Sequence, residues 1–261
     1  MPPSEVDPLP ESIPPVDSLP VFESPDTSLT SGPTIHRQLP SVRDWILTIT
    51  AGLIAGFAAW LITETFHDRL QPMLLTTGGV PTPEEASVGV LSRVAAVTLQ
   101  VTLSFGTLGA ALGLALGVAG GTVRGSIRAA IIAACFGTIV GASAGALMSR
   151  VLLPIHFRFY NPDQDDLALA ILIQGGICSV IGAAGGAAYG IGLGRSRNDT
   201  LRTLLGGLLG ALVGVLIYQV LGALAFPLDA TTKPLAATSA TRLFAKLAVT
   251  VLASIGATKG A

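Results

Sequence analysis

Charge is what this sequence has least of. Asp, Glu, Lys and Arg make up 12% of its 261 residues, about half the 25% usual in soluble domains. That shortfall excludes a water-covered surface of ordinary composition. Basic excess is missing too: the formal net charge is −1, and without a basic stripe no nucleic-acid partner is expected. Cys135 and Cys178 are the only cysteines, and both lie in apolar runs. They read as small buried hydrophobes, not as a disulfide or a metal site. Gly-x-Ser-x-Gly, His-Glu-x-x-His and phosphate-loop patterns do not occur, so the chain is not read as an enzyme and no cofactor or metal is expected. Asp163, Asp165 and Asp166 fail the calcium-loop pattern, which needs Gly and Glu where Asp166 and Leu172 stand. His67, Asp68 and His156 fall at one predicted end of the spans, and would form a cluster only if their loops met.

What the chain has instead is long uncharged runs: Trp45 to Thr63, Val94 to Val123, Ala129 to Ser149, Leu167 to Gly194, and Thr203 to Leu228. A bilayer-spanning helix needs about 20 apolar residues, so five segments qualify. A sixth, Thr241 to Thr258, contains Arg242 and Lys246. These runs are apolar all round, unlike the striped helices of a soluble core. The expectation is an all-α polytopic integral membrane protein with spans near 45–65, 94–120, 129–150, 167–193, 203–226 and 239–258, in contact with a lipid bilayer.

Residues 1–42 differ in kind from the transmembrane domain at 43–261. They are dense in Pro, Ser and acids and carry no Lys or Arg before Arg37. Such a composition cannot offset chain entropy by burial, so a disordered tail is expected, better described as solvated chain than as a docking arm for an unknown tail-binding protein. The acidic start does not resemble a signal peptide.

An internal repeat runs through the rest. A shift of 73 residues carries Gly109, Gly113, Gly117, Gly121, Arg124, Gly137, Gly141 and Pro154 onto Gly182, Gly186, Gly190, Gly194, Arg197, Gly210, Gly214 and Pro227. The unit is a helical hairpin, at about 93–155 and again at about 166–228. Fainter echoes extend it both ways. GLIAG at 52–56 resembles GTIVG at 137–141, and SIGATKGA at 254–261 resembles VIGAAGGA at 180–187. Naming the two helices of the unit a and b, the spans read b-a-b-a-b-a. Thr82-Pro83-Glu84-Glu85 and Asn161-Pro162 look like starts of a helices, and Lys233-Pro234 is a weaker third. Arg124, Arg128, Arg195, Arg197 and Arg202 crowd the two a-to-b turns, and Arg37 and Arg43 precede the first span. The positive-inside rule puts these, and both termini, on the cytoplasmic side of a plasma or cytoplasmic membrane.

Glycines four residues apart share one helical face, and Gly109 to Gly121 would make a groove about 18 Å long at 1.5 Å per residue. Each Gly costs about 0.8–1 kcal/mol of helix propensity relative to Ala. In lipid it returns close helix contact, since no hydrophobic effect drives helices together there. Two functions fit: a membrane scaffold or interaction protein, forming its bundle and a homo-oligomer through glycine faces; or a channel or transporter with a pathway between repeats. For the second, Gln100, Gln174 and Lys246 are the polar candidates at similar depth, although Lys246 is also placed to snorkel toward the interface.

Overall fold

The computed structural model describes residues 41–67, 83–159, 167–194, 196–225, 235–236 and 238–261. Among these residues the chain is all-helical, with six helices and no strand: α1 Val42–His67, α2 Pro83–Arg124, α3 Ile127–Phe159, α4 Leu167–Leu193, α5 Arg197–Ala225 and α6 Ser239–Gly260. All six are long and apolar enough to cross a membrane. Their outer faces carry large apolar side chains such as Ile54, Phe57, Ile131, Ile139, Leu147, Leu205 and Leu209. A surface of that kind suits lipid and would aggregate in water.

Several boundaries extend past the expected spans. α1 starts at Val42, where Ser41 and Asp44 cap each other's backbone N–H groups. α2 starts at Pro83, eleven residues before the uncharged run, in keeping with a proline at a first helical position. α3 continues through Pro154 to Phe159. α5 starts at Arg197, because Ser196 turns its hydroxyl toward the first-turn Asp199. α6 is capped by Thr238, whose hydroxyl accepts from the Thr241 N–H. The tail at 1–40, Thr82, Asn161-Pro162 and Lys233-Pro234 lie outside the described residues.

Neighbours in sequence pack antiparallel, and α1 closes the circle by lying between α6 and α2. Inside that circle α4 touches both α2 and α6. The even-numbered helices are therefore central, and the odd-numbered ones fill the gaps between them. The α2–α3 turn, the α4–α5 turn, the start of α1 and the end of α6 share one end of the bundle, since Thr258 donates to Thr48 at 2.8 Å and Gly260 rests on the Arg202 backbone.

The glycines bring backbones together. A Cβ at Gly109 or Gly113 would collide with the backbone of Gly141 or Gly137 respectively, and one at Gly117 or Gly121 with that of Ala133 or Ala130. Gly182, Gly186 and Gly190 meet Gly207, Thr203 and Thr200 on α5 in the same way. One expectation changes here, and the two repeats differ in one respect. Gly194 is no rung of a helical row: it ends α4 at φ 64°, a left-handed value, with the Arg124 side chain against it. Gly210 and Gly214 face Leu252 and Ala248 on α6, whereas their counterparts Gly137 and Gly141 face α2. Cys135 is also corrected, since it is exposed on the outer face of α3; Cys178 is buried.

Gly113→Ala should lower the melting temperature of the detergent-purified protein, in line with the roughly 1–3 kcal/mol cost of overpacking. Gly89 has open space where its Cβ would stand, so Gly89→Ala should leave the melting temperature unchanged or raise it. Equal shifts for the two would refute the close-contact role.

Candidate functional site

The buried amide and charged side chains of the bundle gather in the half away from the turns. Along α6, Arg242, Lys246, Thr250, Ser254 and Thr258 recur every fourth residue, and all are buried. That spacing puts them on one helical face. The hydroxyls of Thr250 and Ser254 donate back to the carbonyls four residues earlier at 2.7–2.8 Å, which satisfies them inside apolar surroundings. The face packs on the small residues of α1. Ser254 sits over Gly52 and Thr250 over Gly56, and above them come the charged members.

Arg242 binds Glu64 of α1 with two bonds, Nη2 to Oε1 at 2.7 Å and Nε to Oε2 at 3.2 Å, and donates from Nη1 to the Ala236 carbonyl at 3.0 Å. The bidentate fork suits a planar guanidinium. Lys246 donates to the Ala59 carbonyl at 3.2 Å and to the Thr63 hydroxyl. Trp60 Nε1 donates to the Ser239 carbonyl at 3.2 Å, fixing the start of α6 against α1. Across the bundle, Gln219 Nε2 of α5 donates to Gln174 Oε1 of α4 at 2.9 Å, with both residues buried.

These groups border two cavities. The central one, about 50 Å³, is lined by Ser104, Gln174, Cys178, Tyr218, Arg242 and Lys246 among others. It has room for a few waters. Beside it, a cleft of about 220 Å³ lies between α1 and α2, bordered by Thr63, Gln100 and Thr107. Ser104, Leu235 and Arg242 belong to both linings. Gln174 and Lys246 thus face the same cavity, and Gln100 faces the adjoining cleft. Lys246 does not snorkel, because its ammonium is held on α1. Toward the turns the helices close up: Gly120 lies on the Tyr189 carbonyl, Gly192 on Gly121, and Gly206 on Gly256.

Glu64, Arg242 and Gln219 were not among the sequence candidates. Gln219 is the single amide in its apolar run, the same signal that singles out Gln100 and Gln174. The fourfold spacing from Arg242 to Thr258 is also readable in the sequence, but which helix receives it is not. No group of three or more metal-ligating side chains occurs among the described residues; the His67 side chain and Asp68 lie outside them. Comparison with protein-family models, with curated proteins and with solved structures finds no match.

Removing one side of the Glu64–Arg242 pair should destabilise the bundle by about 3 kcal/mol, the low end for a buried pair because the Glu64 side chain is 28% exposed. A double-mutant cycle of Glu64→Gln and Arg242→Met, read by unfolding in detergent, should show the double variant losing less than the two singles together. Additive losses would mean that the bond contributes nothing as a pair.

Proposed function

We propose that this chain is a multi-pass membrane protein of channel or transporter type, with a small-solute site between its helical hairpins. One observation carries the reading: two cations and the Gln174 amide are buried around a cavity in the middle of an apolar bundle. Ionisable groups at such depth are costly, and where they occur they commonly line solute or ion routes. Helix packing in lipid needs only small residues and hydroxyls, which the α1–α6 face already supplies in Gly52, Gly56, Thr250 and Ser254.

The same reading takes the hairpins as parallel repeats around the cavity. In support, Gly185 packs against Leu112, its own counterpart under the 73-residue shift. It takes the turn end as cytoplasmic, since Arg43, Arg124, Arg128, Arg197, Arg202 and Lys259 belong to that end. The close backbone contacts there would then seal the route on the cytoplasmic side. The glycine-zipper scaffold is the second reading, favoured by the backbone contacts of α2 on α3 and of α4 on α5. A homo-oligomer through glycine faces gains no support from those rows, because neighbouring helices of the same chain occupy them.

Water access tests the choice. In protein carrying Cys135→Ala and Cys178→Ala, Ser104→Cys or Ala245→Cys should react with a membrane-impermeant charged thiol reagent far faster than the lipid-facing Leu205→Cys. Detergent melting would confirm that each variant folds. Equally slow labelling at all three positions in folded protein would leave the scaffold as the better reading.

A further inference from the structure

On the outer surface of the bundle, α2 and α3 leave a groove where they approach their shared turn. Its floor is made of small residues, Gly121, Ala130 and Ala134, and its walls of Leu114, Val118 and Ile131. Gly121 sits so close to the Ala130 backbone that no side chain fills the seam between the helices. Leu114, Val118 and Ile131 stand outward and stay exposed. Along α3 the groove runs from Ile127 to the exposed Cys135, about 12 Å at 1.5 Å per residue. Its character changes on the way: the end at Leu114 and Cys135 is apolar, and the other end is the turn itself, with Thr122 and Ser126. Positive charge gathers at that turn end. Ser126 caps α3 by accepting from the Ala129 N–H at 3.3 Å. The N–H groups of Ile127 and Arg128, in the same first turn, have no helical carbonyl to reach and form the positive end of the α3 dipole. Arg128 precedes Cys135 by close to two full turns, which puts both on one face of α3. It is exposed, and among the described residues no carboxylate pairs with it. The Arg124 side chain, by contrast, lies against Gly194 at the end of α4.

We infer that this groove binds one anionic phospholipid, with an acyl chain along the α2–α3 seam and the phosphate at Arg128 and the start of α3. A bilayer brings acyl chains to every outer face of such a bundle. This seam differs in being open to a chain and in ending at a cation beside a helix N-terminus, where a phosphate is favoured. Basic sites beside transmembrane helices recognise anionic headgroups by the same chemistry. A zwitterionic lipid would bring its own cation near Arg128. A two-fold contact with a second copy would turn Arg128 toward its own counterpart. The groove shares no lining residue with the central cavity, so the lipid site stands apart from any solute route.

The test offers the full-length protein in detergent phosphatidylglycerol and phosphatidylcholine with identical acyl chains, and counts retained lipids by native mass spectrometry. The first phosphatidylglycerol should bind roughly fivefold more tightly than phosphatidylcholine, the gain expected from a single surface Arg contact. Arg128→Gln should bring the two lipids level, and Arg128→Lys should keep most of the preference. Ala134→Phe, which fills the floor of the groove, should weaken retention of the first molecule of either lipid. Arg43→Gln removes a cation of α1 at the same end of the bundle and should leave the preference unchanged. Detergent melting confirms that each variant folds. Equal affinity for the two lipids in the wild-type protein would overturn the site, as would a preference unchanged in Arg128→Gln or a retention unchanged in Ala134→Phe. An equal loss in Arg43→Gln would overturn it too, by assigning the selectivity to the basic end as a whole. A dimer that Ala134→Phe dissociates would give the groove to a second copy in place of a lipid. If Ala134→Phe does not fold, the contrast between Arg128→Gln and Arg43→Gln decides.

Discussion

Inside an apolar bundle surrounded by lipid, a polar atom has no water to fall back on and must find its partner in the chain. The contact of α1 with α6 follows from that constraint. α6 carries a charged and hydroxylated face that no bilayer would solvate, and α1 answers it almost residue by residue. Thr48 accepts from Thr258, Gly52 and Gly56 make room for Ser254 and Thr250, Ala59 and Thr63 receive Lys246, and Glu64 takes Arg242. Without that face α6 would have little reason to choose α1 over any other apolar neighbour. With it the circle of helices closes and a cavity is enclosed at the centre.

The glycines solve a different problem. Apolar helices in lipid gain nothing by hiding from the solvent, so their association depends on how closely they approach. Where Gly113 meets Gly137, backbone touches backbone and dispersion contacts are gained along both helices. These contacts concentrate toward the turns, and the polar residues concentrate away from them. The bundle thus has a half joined by backbone contacts and a half holding its amides and buried charges, built from two residue classes that the sequence deploys in place of ordinary core side chains.

The spans were legible because charge-free runs of membrane length have few other uses, and because Pro83 marks the start of α2 by local chemistry; the caps at Ser41 and Thr238 were not read from the sequence. The first hairpin was legible as a repeat unit, while the seating of Gly109 and Gly113 on Gly141 and Gly137 came only with the structure. The second hairpin was less so. Gly210 and Gly214 match Gly137 and Gly141 in sequence but turn toward α6, since Gly207 and Ala211 fill the face that α4 requires. Identity under a fixed shift reports what a position can tolerate, not which neighbour it meets. The site was legible in part: Gln174 and Lys246 stand out as polar residues in apolar runs, but Glu64 sits at the edge of a run, and its bond to Arg242 spans 178 residues.

That span also orders events during synthesis. Glu64 enters the membrane region with the earliest helix and stays without Arg242 until almost the whole remaining domain has been made. Through that interval Gly52, Gly56 and Glu64 lack the α6 residues that meet them in the finished bundle. A nascent chain in this state has reason to stay beside the insertion machinery, or near water, instead of dispersing into lipid. A chain stopped before α6 would therefore leave bare on α1 what that helix covers, the glycines under Ser254 and Thr250 and the carboxylate under Arg242.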